Sequence, residues 1–283
     1  AETAARETTE ITQRILHTLS LPVALSYRQL TDYENTCSIG VATFLGHEVT
    51  VDELLRRADM AMYQAKADGR NTFRFFDPTM QKILSERLTL EEDLKLALSA
   101  GQLELYLQPQ VEVDTLVGAE VLLRWRHPEK GMIAPLEFIP AAERTGLIVE
   151  IGDWVMREAV DILQGWAKRS ETAHLCLAVN VSARQFRQSD FTHSIGRTLE
   201  RAGVPADRLK LELTESLALE NIGDTVERMQ LLRGLGVGLS LDDFGTGQSS
   251  LSYLKRLPIT QLKIDQAFVR DIASDPDDAA IVR

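Results

Sequence analysis

The sequence predicts an α/β protein in two blocks, the larger one built on a parallel sheet whose first strand runs antiparallel. Three observations carry this. From about residue 175 onward, short apolar runs alternate with segments of helical spacing, and strands that alternate with helices pair in parallel. Two earlier apolar runs, 103–113 and 119–125, are separated only by 114–118, a gap short enough for a hairpin, so that pair is antiparallel. A charged helical stretch over 79–99, opened by the break at Asp77-Pro78, separates this block from a smaller one of mixed helix and strand.

In the small block, Ile11, Ile15, Leu16 and Leu19 mark one stripe of a helix over 4–19. Strands are expected at 22–28 and 35–44. Thr50 caps a helix whose apolar face is Leu54, Leu55, Ala58, Met60, Ala61 and Ala65, and Gly69 stops it. A short strand at 73–76 follows. In the large block, helices are expected near 136–144 and 150–168, then a strand at 175–182. A helix at 190–202, closed by Gly203 and Pro205, leads to a strand at 208–214. A helix at 219–233, closed by Gly234 and Gly236, leads to a strand at 237–242, and a short helix at 249–256 leads to a strand at 261–265.

Composition narrows the function classes. The 283 residues suffice for two domains at about 150 residues each. Apolar residues make up 44% and charged residues 26%, a balance that excludes a disordered, collagen-like or disulfide-scaffold chain. A formal charge of −11 makes a poor general binder of DNA or anionic membrane, although an anionic ligand remains open where cations sit between. Cys37 and Cys176 lie far apart in apolar runs and read as reduced core cysteines of a cytosolic protein. No apolar stretch approaches the roughly 18 residues of a membrane span, and no signal peptide is recognisable. The opening Ala-Glu-Thr-Ala-Ala-Arg reads as the middle of a helix and the closing Ala-Ala-Ile-Val-Arg as interrupted, so a fragment of a longer protein is expected.

The informative residues are polar ones inside apolar strands. Asn180 interrupts 178–181, Glu212 interrupts 209–213, Asp242 and Asp243 end 237–241, Lys263 and Asp265 interrupt 262–265, and Glu120 opens 120–125. A parallel strand buried on both faces should be nearly continuous Val, Ile and Leu, and a buried charge is costly unless paired or bound to a metal. Any one of these residues reads equally well as half of a core salt bridge. A set of them on successive strands, mostly near the C-terminal ends where β/α barrels keep their chemistry, argues for a site. Glu120, Asn180, Glu212, Asp242 and Asp243 all offer oxygen, with no His or Cys, which points to a hard divalent cation rather than zinc. Adjacent strand residues face opposite ways, so Asp242 and Asp243 reach one site only where the strand is ending, with Gly245-Thr246-Gly247 as the turn. They would then each favour one metal of a pair, and a pair about 3.5–4 Å apart suits in-line attack of water on a phosphodiester. Lys263 would hold that water or neutralise developing charge, or else simply pair with the acidic cluster.

These residues carry a resemblance. Gly118-Ala119-Glu120-Val121-Leu122-Leu123-Arg124-Trp125 resembles the motif that names the EAL domain, the bacterial cyclic di-GMP phosphodiesterase, with Val121 in place of the middle Ala. Val179-Asn180-Val181-Ser182, Glu212-Leu213-Thr214-Glu215, Asp242-Asp243-Phe244-Gly245-Thr246-Gly247 and Leu262-Lys263-Ile264-Asp265 match in order and spacing over about 84–283. The resemblance implies a TIM-like (β/α) barrel with an antiparallel first strand, of which the last two strands lie outside this chain together with a further acidic motif and a Gln-Gly motif. It implies a two-metal Mg²⁺ or Mn²⁺ site ligated by Glu120, Asn180, Glu212, Asp242 and Asp243. In that family Lys263 would act on the nucleophilic water, Glu120, Asp243 and Asp265 would complete the catalytic set, and Glu215 would hold the Asp-Asp-Phe-Gly loop. Gln108, Leu122 and Arg124 would contact the dinucleotide.

The first block is similar to the C-terminal half of a GGDEF domain, the diguanylate cyclase fold, through Ser38-Ile39-Gly40-Val41-Ala42 and the run from Ala58-Asp59-Met60 to Gly69-Arg70-Asn71. Lys66 and Arg70 would face nucleotide phosphates there, while the naming Gly-Gly-Asp-Glu-Phe segment would lie upstream of Ala1. The expected organisation is a partial GGDEF domain over 1–77, a connecting helix over 78–99 and a truncated EAL domain over 100–283. The expected function is metal-dependent hydrolysis of cyclic di-GMP to linear pGpG. Its alternatives are an inactive cyclic di-GMP receptor acting through a protein partner and a barrel enzyme on another phosphate ester. A homodimer, an upstream sensory domain and a cytoplasmic location, as such or as the cytoplasmic part of a membrane-anchored sensor, are the expected setting.

Overall fold

The computed structural model describes the chain except for residues 1, 22–35, 45, 47–48, 220, 246–253, 271, 273, 275–281 and 283. The strand expected at 22–28 and most of the helix expected at 249–256 lie outside the described residues. The chain divides into two units, Ala1–Thr89 and Leu90–Arg283.

The first unit holds α1 (Glu2–Ser20), β1 (Ile39–Val41), α2 (Val51–Ala67) and β2 (Phe73–Phe75), and α3 (Pro78–Ala97) begins in it. β1 and β2 pair in parallel, Ile39 opposite Phe73. The Thr50 side chain accepts the Glu53 N–H at 3.2 Å, which caps α2 as its sequence predicts. Ala61 and Ala65 are buried, and a Cβ added to Gly40 would overlap the backbone of Ala58 and Met62, so the small residues bring strand and helix into contact. One expectation fails here: the strand expected over 35–44 shrinks to three residues. The helix carrying the stripe Ile11, Ile15 and Leu19 forms as expected, and that stripe stands exposed together with Leu55 of α2. Helical spacing marked those faces as apolar, but the described residues of this unit supply nothing to cover them. Past α2, Gly69, Arg70 and Asn71 all have positive φ, which takes Arg70 off the helix that carries Lys66.

The second unit is a seven-stranded sheet. Along it lie β3 (Leu103–Glu112), β4 (Thr115–His127), β6 (Cys176–Asn180), β7 (Leu209–Thr214), β8 (Gly238–Phe244) and β9 (Gln261–Ile264), and the short β5 (Gly131–Ile133) also pairs β4. β3 and β4 are antiparallel, and every neighbour from β4 to β9 along the path is parallel. The hairpin is tighter than expected: Glu112 sits opposite Thr115, leaving Val113-Asp114 as the turn, and a bulge between Gln110 and Val111 adjusts the register. Thr115, Leu116 and Val117 therefore belong to the strand. Where β4 meets its first parallel neighbour, Gly118 approaches so closely that an added Cβ would overlap the carbonyl oxygen of Cys176.

Helices α4 (Pro135–Thr145) and α5 (Leu147–Ala167) follow β5, with left-handed Gly146 between them. A one-turn helix, α6 (Ala183–Phe186), then precedes α7 (Phe191–Ala202), which ends at left-handed Gly203. The helix expected at 219–233 is α9 (Ile222–Gly234), and a short unexpected helix, α8 (Glu215–Leu219), precedes it, the two being separated where Asn221 takes φ 45°. Asn tolerates that region better than most residues. A last short helix, α10 (Gln266–Arg270), follows β9.

Alternation along the strands separates core from site. Leu209, Leu211 and Leu213 of β7 join Leu177, Leu239 and Leu241 in one buried cluster with Ile151 and Val155 of α5 and Met229 and Leu232 of α9. Period two turns Lys210 and Glu212 to the opposite face. Below β4, buried His127 accepts the N–H groups of Glu129 and Lys130 on Nδ1 at 3.1 Å each, so Nε2 carries its proton toward Asp93 Oδ2 of α3, 3.1 Å away.

Lys130 Nζ also donates to Asp93 at 2.9 Å, and that bond, opposed by burial and assisted by His127, holds the Asp93 carboxyl below its ordinary value. A lowered folded pKa means stability that is present above the unfolded value and lost as pH falls through the folded one. Asp93→Asn should therefore lower the melting temperature at pH 7 and converge with the parent as pH is brought below about 4. Parallel melting curves with a pH-independent gap would contradict the assignment.

Candidate functional site

The parallel register assembles the site. Asn180 ends β6 directly opposite Glu212 of β7, and Glu212 lies opposite Ser240 of β8, two residues before Asp242. Glu120 of β4 lies opposite Ala178, two residues before Asn180. β9 brings Lys263 from the far side. Its Nζ donates to Glu212 Oε2 at 2.7 Å, Asp242 Oδ2 at 2.8 Å and Glu120 Oε2 at 3.1 Å. Glu120 Oε1 accepts from Asn180 Nδ2 at 2.8 Å. The three carboxylates present oxygens within 4.8 Å of one another.

The adjacent aspartates are separated by a bulge rather than by the end of the strand. Leu241 faces Leu262 and Phe244 faces Ile264, so Asp242 and Asp243 together oppose Lys263 alone. β8 runs on to Phe244, and Asp243 takes φ 55°. Its N–H donates to Asp242 Oδ1 at 2.9 Å. Asp243 stands exposed and outside the triad of Glu120, Glu212 and Asp242.

Charge is concentrated here. Burial pushes Glu212 up to about 7 against the hydrogen bond from Lys263, with the charges of Glu120 and Asp242 adding to the rise. Burial acts to lower Lys263, but hydrogen bonds to Asp242 and Glu212 and the charge of Glu212 outweigh it and hold the ammonium above the usual lysine range. Although the residue as a whole is exposed, partial desolvation of its carboxyl raises Asp243, followed by the charges of Asp242 and Asp265, with Lys263 opposing. Three carboxylates around one ammonium leave excess negative charge. Glu212 Oε1 is buried with no hydrogen-bond partner among the described residues, which is expensive for a carboxylate oxygen. An all-oxygen donor set with an orphaned buried oxygen fits a hard divalent cation.

The remaining candidates spread around this centre. Gln108 is exposed on β3 opposite Glu120. Arg124 donates to the Leu123 carbonyl at 2.9 Å and lies 5.5 Å from the Tyr106 ring centre. Leu122, Arg124, Asn180 and Glu212 line a cleft of about 290 Å³ beside the carboxylates, closed on one side by Ile139 and Ile151 of the covering helices. Asp265 Oδ1 accepts the Ala267 N–H at 2.7 Å and so caps α10, the contact that occupies it here. Buried Glu215 accepts the Gly245 N–H at 2.9 Å. The cap of α8 is instead Thr214, whose hydroxyl accepts Leu217 N–H at 3.4 Å. Sequence reasoning passed over Ser182 and Gln185, which form a capping box immediately after Asn180; the pattern Ser-x-x-Gln was its signal.

Fold and site define the class: a β/α barrel domain with a lysine-centred carboxylate cluster at the C-terminal ends of its parallel strands. The chain belongs to the EAL domain family, whose model matches residues 91–283, and the model described as diguanylate cyclase, GGDEF domain, matches residues 1–72. The chain is thus a GGDEF segment followed by an EAL domain of TIM-like barrel fold. It is 42% identical over 274 residues to the bifunctional diguanylate cyclase/cyclic di-GMP phosphodiesterase MucR of Pseudomonas aeruginosa, covering 96% of this chain and 39% of that protein. It is 39% identical over 274 residues to the cyclic di-GMP phosphodiesterase PdeR of Escherichia coli, covering 95% and 40%. The chain therefore spans about two-fifths of these relatives. The solved PaMucR phosphodiesterase, a c-di-GMP complex, superposes with a TM-score of 0.66 at 45% identity over 69% of this chain and 79% of that one. The FimX EAL domain from Pseudomonas aeruginosa bound to c-di-GMP superposes with a TM-score of 0.60 at 26% identity over 68% and 77%.

Because Glu215 reaches Gly245 rather than capping its own helix, Glu215→Ala should loosen the chain beyond the two aspartates. The expected result is Mn²⁺ affinity lowered by about tenfold, as for other residues that orient ligands from behind. A drop in melting temperature with unchanged Mn²⁺ affinity would reduce Glu215 to a packing role.

Proposed function

We propose that the EAL unit hydrolyses cyclic di-GMP to linear pGpG. The observation that carries this reading is the convergence of Glu120, Glu212 and Asp242 on Lys263 at the strand ends, with Glu212 Oε1 unsatisfied. The names of the relatives and the dinucleotide in the solved structures support it. Glu120, Asn180, Glu212, Asp242 and Asp243 would hold Mg²⁺ or Mn²⁺, as two ions. When bound, they supply Lewis-acid polarisation of the phosphodiester and of water.

The chain's own residues do the rest. Arg124, which lines the cleft with Leu122, would make a charge-assisted bond to a phosphate oxygen, and Gln108, opposite Glu120 on β3, would be a further contact to the dinucleotide. Lys263 stays protonated and balances negative charge that grows on the phosphoryl oxygens. Water forms a new O–P bond while the opposite P–O bond of the ring breaks, and its proton ends on the departing ribose hydroxyl. Asp243 and Asp265 are the further acids at this site, Asp265 acting from the start of α10. One observation favours a second reading, a non-catalytic receptor that signals through a partner: Lys263 already engages three carboxylates. The setting we propose is a cytoplasmic homodimer, with any sensory domain upstream. No described helix is long and apolar enough to cross a membrane.

Glu120→Ala should cut hydrolysis by more than about 100-fold, the effect of losing several kcal/mol of charge stabilisation, and weaken dinucleotide binding far less. Binding without turnover in the parent protein would favour the receptor. Undiminished turnover in the variant would reject the role of Glu120. The GGDEF segment should make no cyclic di-GMP from GTP, because Lys66 and Arg70 by themselves supply phosphate contacts and no metal ligands; cyclic product formed by this chain would refute that.

A further inference from the structure

We propose that Gln185 is the positioning residue that fixes Asn180 at the carboxylate cluster, and that Gly152 leaves the space its carboxamide fills. Asn180 is the last residue of β6 and is exposed, and its described side-chain bond is the single one to Glu120. Its direction is set by the register of β6 against Glu212 and by the backbone that follows. Val181 is buried, and its N–H donates to the Glu212 carbonyl at 3.0 Å. Ser182 then turns the chain into α6, a helix of four residues that is too short to hold itself.

Three clamps hold it. Ser182 Oγ accepts the Gln185 N–H at 3.2 Å, while Gln185 Oε1 accepts the Ser182 N–H at 3.4 Å and its hydroxyl at 3.1 Å. Arg228 of α9 donates to the carbonyls of Phe186 at 3.1 Å and Gln188 at 2.6 Å. The third clamp is α5. Gln185 is buried with its carboxamide against Gly152, where an added Cβ would overlap it. Gly152 sits inside α5, where glycine is a poor helix former, yet a side chain there would push Gln185 out of the capping box. Gln185 also lines the cleft beside Asn180 and Glu212, so its displacement would open the site from behind.

The inference rests on the reading of Asn180 as an ion ligand, and the test separates the two. Mn²⁺ binding is measured by electron paramagnetic resonance of the free ion on the whole chain, so that no turnover is needed. Asn180→Ala should weaken Mn²⁺ binding. Gln185→Leu and Gly152→Ala should each weaken it by about tenfold, the usual effect of losing a residue that orients a ligand. Ser182→Thr, which keeps a capping hydroxyl, should bind like the parent. Asn180→Ala combined with Gln185→Leu should be no weaker than Asn180→Ala alone, since both losses act through one side chain. Parent-like affinity in Asn180→Ala would overturn the ligand reading. Weakened Asn180→Ala with parent-like Gln185→Leu and Gly152→Ala, or fully additive losses in the double variant, would overturn the positioning role alone.

Discussion

One ammonium group holds the centre of the barrel domain. Lys263 is the cation shared by Glu120, Glu212 and Asp242, and without it three carboxylates within 4.8 Å would repel one another in a half-buried site. A charge taken out of water is tolerated only when something of opposite sign replaces the water. Each of the three carboxylates comes from a different strand, and the lysine comes from a fourth. The pairing therefore ties β4, β7, β8 and β9 together at one end of the sheet, where main-chain ladders link only neighbours. The arrangement still leaves negative charge over and, among the described residues, one Glu212 oxygen unanswered, which a buried salt bridge built for stability alone does not explain.

Geometry comes from register more than from loops. The parallel pairings set Asn180 level with Glu212 and Asp242 two residues further along β8, and a single extra residue in β8 turns Asp243 away from the triad. A slip of one residue in β7 would exchange Glu212 for a leucine and send the carboxylate into the helical layer. The buried leucines on the opposite face guard against that slip, so core and site enforce each other.

The alternation of strands and helices in the larger unit was legible because apolar runs and helical spacing are local. The clustering of Glu120, Glu212, Asp242 and Lys263 was legible for a related reason: Glu212 or Lys263 inside a run of leucine and isoleucine conflicts with its surroundings and needs an explanation. What escaped depended on pairings between distant residues. The bulge at Asp242-Asp243 exists only against Lys263, and β5 exists only against β4. The hairpin turn was placed too late because the bulge beside Gln110 is invisible without its partner strand. In the first unit, the stripe of α1 was read correctly as apolar, but periodicity says nothing about what stands opposite it. The capping box at Ser182 is written in the sequence as Ser-x-x-Gln, but its helix is a single turn with no apolar periodicity to mark it.

Gly118 gives the domain a seam. β4 is the strand that changes the sheet from antiparallel to parallel, and at Gly118 its backbone touches the carbonyl of Cys176 with no room for even a methyl group. Two residues along is Glu120. The spacing between the first two staves, and with it the reach of the first carboxylate toward the others, is thus gauged by a missing atom. Any drift at this position is felt at the centre of the barrel although nothing there bears on a ligand. A residue that carries no chemistry at all thus leaves little freedom to vary.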